Sequence, residues 1–252
     1  MTDAYKLRTK AITTARKAPT EQQVRDTFKT PSYATRLLLP FIPKEIKTVW
    51  ECAYGDGRIS RIIRDAGYTV IESDIKSDDQ SKIKNFLLDD PGINFDSKEI
   101  AIITNPPFSI KDLFIERCFS FGAPFALLIN ADYSGWQIDL INRGCEKIIP
   151  NRRIDYITPF ILENIWHGTV MEILQEGNPK YKKKSDVPED IWNRHLELIP
   201  QDYFSIDEVP NELLFKYSAS QFHSMWLTYG FGIGRTETFV DLPIQSKKED
   251  IK

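Results

Sequence analysis

Cysteine and histidine are scarce, three of each in 252 residues. Cys52, Cys118 and Cys145 stand apart with no CxxC spacing, which argues against structural zinc and for reduced thiols in a cytoplasmic setting. His167, His195 and His223 lack the spacing of a ligand cluster, so no metal is expected. No apolar run reaches the ~18 residues that a membrane span requires. The opening "MTDAYKLRTK" lacks the apolar stretch of a signal peptide. Repeats, low-complexity tracts and a Walker loop are missing as well. Charge of one sign is also in short supply: 33 basic against 36 acidic side chains leave a net −3. Bulk charge therefore does not make the molecule a polyanion binder. Local basic groups do occur, in residues 1–29, at Arg143, Lys147, Arg152 and Arg153, and in "KYKKK" at 180–184.

What is present is an alternation of apolar runs and turn signals. Residues 1–29 read as a polar lead-in. "TPSYATRLLLPFIP" supplies a Thr-Pro start, a short apolar helix and a proline stop. "TVWEC" then reads as a strand, "AYGDG" as a glycine loop, "RISRIIRDAG" as an amphipathic helix and "YTVIESDI" as a second strand. Such a βαβ unit implies a parallel sheet. "IAIIT", "PFALLIN" and "KIIP" continue the strands, with "RRIDYI" as a partner or continuation of the last. "IKDLFIERCFSFG" and "GWQIDLINRG" are the intervening helices. From Ile161 to Tyr217 the alternation is lost, and "HSMWLTYGF" with a short "ETFVDL" edge strand restores it. The expectation is a doubly wound α/β domain spanning 30–160 and 218–244. An insertion at 161–217 precedes the final strands, and a polar tail at 245–252 follows them.

The loop "ECAYGDG" carries the first chemical signal. Glu51 ends its strand, Ala53 follows, and Gly55 and Gly57 let the backbone turn sharply and approach a ligand. Asp74 ends the next strand, 17 positions after Gly57, where a carboxylate can accept both hydroxyls of a ribose. The dinucleotide pattern GxGxxG is incomplete, because Ile59-Ser60 stand where its third glycine belongs. Glu51 beside the loop would repel a pyrophosphate and attract a cationic amino-acid tail. An adenosine ligand without phosphate, S-adenosyl-L-methionine, fits these residues.

The second signal is "AIITNPPFSI", residues 101–110. Proline cannot donate to a sheet ladder and pushes its predecessor toward extended backbone. The strand must therefore stop and hold Asn105 and Phe108 on a stiff projection beside Pro106 and Pro107.

The succession "TPSYATRLLLPFI", "ECAYGDG", "ESDI", "NFLLDD", "NPPF", "FALLIN" and "NRRIDYITP" resembles class I methyltransferases that modify the N6 amine of adenine, especially DNA adenine methyltransferases. The resemblance covers about residues 30–160 and resumes near 222–232. It implies a Rossmann-like sheet of seven strands with the last antiparallel, S-adenosyl-L-methionine as cofactor, and DNA bearing a target adenine as partner. It further implies that Asn105, Pro106, Pro107 and Phe108 form the catalytic tetrapeptide. Thr30 and Pro31 would belong to a segment closing over the cofactor's methionine. Asn85 and Phe86 stand where many relatives have Asp-Phe, so that Asn85 would accept from the cofactor's adenine amine and Phe86 would stack on it. Tyr156 would supply a second stacking face for the target base, and Arg152 and Arg153 would hold flanking phosphates. The large C-terminal recognition domain of some relatives is replaced here, at most, by the insertion at 161–217. The same tetrapeptide occurs in enzymes methylating RNA adenines and protein glutamines. An inactive methyltransferase-like subunit of a partner enzyme is a further alternative.

Overall fold

The structure, a computed structural model, describes residues 28–89, 92–95, 98–156, 161–198 and 222–242. The lead-in before Phe28, residues 199–221 and the tail lie outside the described residues.

Seven strands form one mixed sheet: β1 (Thr48–Glu51), β2 (Thr69–Glu72), β3 (Ile100–Thr104), β4 (Phe125–Asn130), β5 (Cys145–Pro150), β6 (Ser224–Tyr229) and β7 (Glu237–Val240). Their order is β2-β1-β3-β4-β6-β5-β7. β6 runs antiparallel between β4 and β5, while the other neighbours pair in parallel. The expected seven-stranded α/β sheet with one antiparallel strand is present. That strand, from "HSMWLTYGF", is the last but one in the chain, because the "ETFVDL" edge strand follows it as β7.

Successive strand residues point to opposite faces, and both faces are apolar. Val49, Ala101, Ile103, Ala126, Leu128 and Trp226 share one buried cluster with Tyr33 and Ala34 of α1 (Ser32–Arg36) and Ile59 and Ile63 of α2 (Arg58–Asp65). Their neighbours Trp50, Ile102, Phe125, Leu127, Ile129 and Met225 share another with Phe114, Ile115 and Cys118 of α3 (Lys111–Phe121) and Leu140 of α4 (Gly135–Asn142). The sheet is thus doubly wound. α2 follows from its pattern: Ile59, Ile62 and Ile63 are buried at helical spacing, and Arg61 and Arg64 face out.

Two local expectations are revised. Residues 152–156 of "RRIDYI" form no strand, so β5 stops at Pro150. In the insertion, the described part is a pair of helices, α5 (Ile161–Gly177) and α6 (Glu189–Leu198). Val170, Leu174, Val187 and Trp192 form a small core of their own there. Among the described residues no helix is long and apolar enough to cross a membrane.

β1 is flanked by β2 on one side and β3 on the other, with Trp50 level with Ile71 and with Ile102. The winding reverses between β1 and β3, and the crevice outside their carboxyl ends is where open α/β sheets bind ligands. Glu51 ends one of those strands, and Asn105 follows the other.

Candidate functional site

Beyond β1 the chain turns through two left-handed glycines, Gly55 at φ 55° and Gly57 at φ 75°. At residue 57 the left-handed φ favours glycine, and a Cβ there would come within 2.6 Å of the Tyr54 hydroxyl oxygen and push that ring aside. Ala53 is half-buried at the loop's start. Asp74 sits against this loop: its Oδ2 accepts from the Gly55 N–H at 2.9 Å and its Oδ1 from the Lys76 N–H at 2.9 Å. Its own main chain is paired with Lys82 and Lys84, which fixes the carboxylate's position. Each carboxylate oxygen retains a further acceptor position for a vicinal diol. Beside it Ile75 and Ile83 are 57% and 40% exposed, an apolar shelf next to an anionic group. Glu72 accepts from Lys82 Nζ at 2.8 Å and from Arg64, and that lysine lies 4.8 Å from the centre of the Tyr54 ring. These contacts brace the loop from below.

Glu51 departs from its expected part. Its side chain is only 1% exposed and accepts a hydrogen bond from the Ser60 hydroxyl on α2. Burial pushes its carboxyl well above the ordinary value of 4.5, outweighing the Ser60 hydrogen bonds, and the enclosed side chain offers no open face to a cationic tail. The folded state holds this proton more tightly than the unfolded chain does. The resulting stability is complete below the unfolded value and is lost as pH rises toward and through the raised folded one. Glu51→Gln is expected to flatten this dependence: from about pH 5 to pH 8 the wild-type melting temperature should fall more than the variant's. Parallel melting curves across that range would contradict it.

Asn105 is the centre of the second half. Pro106 is buried, Pro107 half-buried, and a short 3-10 turn, Phe108–Ile110, leads into α3. The Asn105 amide nitrogen donates to the Thr30 hydroxyl oxygen at 3.0 Å and to the Phe28 carbonyl at 3.3 Å. Its side-chain oxygen is buried and accepts from no group among the described residues. A carbonyl can only accept, so the Phe28 oxygen fixes which end of the amide is nitrogen. Phe108 lies in a group of four rings: Phe28 is 5.3 Å from it, Phe222 5.1 Å and Tyr156 5.9 Å, between centroids. Phe28 is also 5.5 Å from Tyr156.

The remaining sequence candidates fall as follows. Thr30 and Pro31 are buried, and Thr30 faces Asn105. Asn85 spends its side-chain oxygen on the Leu87 N–H at 3.0 Å, closing a turn. Phe86 is 4% exposed and stacked on Phe114 at 4.6 Å, so it is a ring of the core rather than an open shelf. Tyr156 is buried, with its hydroxyl pushed above the usual tyrosine range by that burial. Arg152 donates to the Leu242 carbonyl, which ties it to the chain beyond β7, whereas Arg153 is exposed. Sequence reasoning missed Phe28, Phe222 and Ile75. Only Ile75 carried a local signal, an apolar residue directly after the strand-end Asp74.

No protein-family model matches the chain, and no curated protein matches it.

Proposed function

We propose that this chain is an S-adenosylmethionine-dependent methyltransferase acting on the N6 amine of adenine in DNA, with the base flipped out or already unpaired. The observation that carries the reading is the Asn105 side-chain oxygen: buried, without a partner among the described residues, and aimed by an amide nitrogen already committed to Phe28 and Thr30. A buried acceptor left unmade is costly, and a ligand N–H removes that cost. The crevice between the β1 and β3 carboxyl ends supports the cofactor half: Asp74 suits a ribose diol, and exposed Ile75 and Ile83 suit a flat ring.

Held by Asp74 and the Gly55–Gly57 loop, S-adenosylmethionine would supply an electrophilic sulfonium methyl with a neutral thioether as its leaving group, and the methylated amine would give up its extra proton to solvent. Asn105 accepts one N–H of the conjugated amine and the Pro106 carbonyl the other. Two acceptors pull the nitrogen toward tetrahedral geometry and free its lone pair from the ring. Positive charge grows on that nitrogen during attack, so these acceptors bind the transition state more tightly than the ground state. Phe108 stacks on the base, a contact worth roughly 1–3 kcal/mol on single-strand platforms.

Phe28 holds the space next to Phe108, and Phe108 and Tyr156 stand 81° apart rather than face to face. A base reaches Phe108 once the Phe28 ring swings to another rotamer, while the Phe28 carbonyl keeps its bond to Asn105. Phe28→Ala removes the aromatic contacts that must be broken, worth about 0.5–1.5 kcal/mol, and is expected to lower KM for an oligonucleotide with an unpaired adenine by roughly 2–10-fold. A higher KM would make the ring part of the base's wall instead.

The reading is tested by incubating the protein with methyl-labelled cofactor and, separately, DNA, RNA and protein. Label in DNA adenine is the expected result. Label in RNA or in protein glutamine moves the acceptor while keeping the chemistry, and absence of cofactor binding by calorimetry leaves a methyltransferase-like subunit.

A further inference from the structure

Thr30 stands immediately before Pro31, is 5% exposed, and its hydroxyl oxygen accepts from the amide nitrogen of Asn105, a residue 75 positions away, at 3.0 Å. With the Phe28 carbonyl at 3.3 Å it receives the hydrogens of that amide, leaving the side-chain oxygen with no partner among the described residues. The Phe28 carbonyl forbids the reversed amide, since two acceptor oxygens would then face each other. Thr30 adds the closer of the two bonds and sets the twist of the amide plane. The segment that carries it is anchored on both sides. Lys29 Nζ lies 3.7 Å from Asp56 Oδ2 in the glycine loop, and the Trp226 indole donates to the Ala34 carbonyl of α1 at 2.7 Å. Proline at 31 fixes the backbone between these anchors.

We infer that Thr30 is a positioning residue for Asn105: its hydroxyl holds the amide in the orientation that points the Asn105 oxygen at the substrate amine. Thr30 therefore serves the base side of the crevice rather than closure over the cofactor. The inference rests on the proposed methyl transfer at Asn105. It extends that proposal by tying the short segment ahead of α1 to the reacting amide, so that catalysis depends on two parts of the chain meeting.

The test compares Thr30→Val, which keeps the shape and removes the acceptor, with Thr30→Ser, which keeps the acceptor. For Thr30→Val, kcat is expected to fall about tenfold with KM for DNA and for cofactor within about twofold, the scale of one lost hydrogen bond. Thr30→Ser is expected to recover wild-type kcat, a rescue that a purely packing role for the methyl group would not single out. A second readout needs no turnover: the nitrogen-15 side-chain amide signals of Asn105, assigned by their loss in Asn105→Ala, should shift and exchange faster with solvent in Thr30→Val and not in Thr30→Ser. Unchanged kcat and unchanged Asn105 signals in Thr30→Val overturn the inference. Asn105 signals that respond to Thr30→Val in a protein that methylates neither DNA, RNA nor protein uphold the coupling and overturn the methyltransferase reading instead.

Discussion

Asn105→Ala is expected to abolish methyl transfer to DNA while leaving cofactor affinity within a few-fold. Removing one preorganised partner from a developing charge costs about 10²–10³-fold in kcat in enzymes where it has been tested. Here the same oxygen also releases the amine lone pair from conjugation, so the loss should reach at least that range. The cofactor side is spared because its proposed contacts, Asp74 and the Gly55–Gly57 loop, belong to other elements. Asn105→Asp sharpens the result. It keeps the volume but replaces the amide nitrogen by an oxygen facing the Phe28 carbonyl, which donates nothing. It should turn the side chain away and leave little activity. Single-turnover transfer of labelled methyl, with calorimetry for the cofactor, separates the two effects. Wild-type turnover in Asn105→Ala would remove this residue from the mechanism.

Asp74→Ala is expected to act on binding instead. A carboxylate accepting two ribose hydroxyls contributes about 1.5–3 kcal/mol per charge-assisted bond, so cofactor Kd should rise by at least tenfold, and by a hundredfold or more if both bonds contribute fully. The variant also strips the Gly55 N–H and the Lys76 N–H of their acceptor, which loosens the glycine loop in the same direction. At saturating cofactor kcat should largely return, the reverse of the Asn105 pattern. A Kd unchanged by titration would place the ribose elsewhere.

The sheet and the crevice were legible because their signals are local. Strand periodicity, a glycine loop followed by isoleucines at helical spacing, and a proline stop after "AIIT" each depend on near neighbours in sequence. They place Glu51, Asp74 and Asn105 at strand ends without knowledge of tertiary contacts. What the chain does with these ends was less legible. Phe28 fell near the end of the polar lead-in 1–29, yet its carbonyl meets Asn105 across 77 positions, a contact no local pattern encodes. Phe86 lies in a turn, where no period of two or 3.6 fixes side-chain direction, and the Asn85 cap turns it inward onto Phe114. Glu51 was read by its formal charge, but the burial that raises its carboxyl comes from the packing of α2 over β1. Helices α5 and α6 were hidden for another reason: Gly168 inside one and the proline- and lysine-rich link between them resemble a loop by composition.

The most direct measurement is the mapping of N6-methyladenine in DNA from cells expressing the wild-type chain and, alongside, Asn105→Ala. The account predicts modified adenines in the first and background levels in the second, at equal amounts of folded protein. Equal modification in both, or none in either when the purified wild type binds S-adenosylmethionine and unpaired DNA, would contradict it.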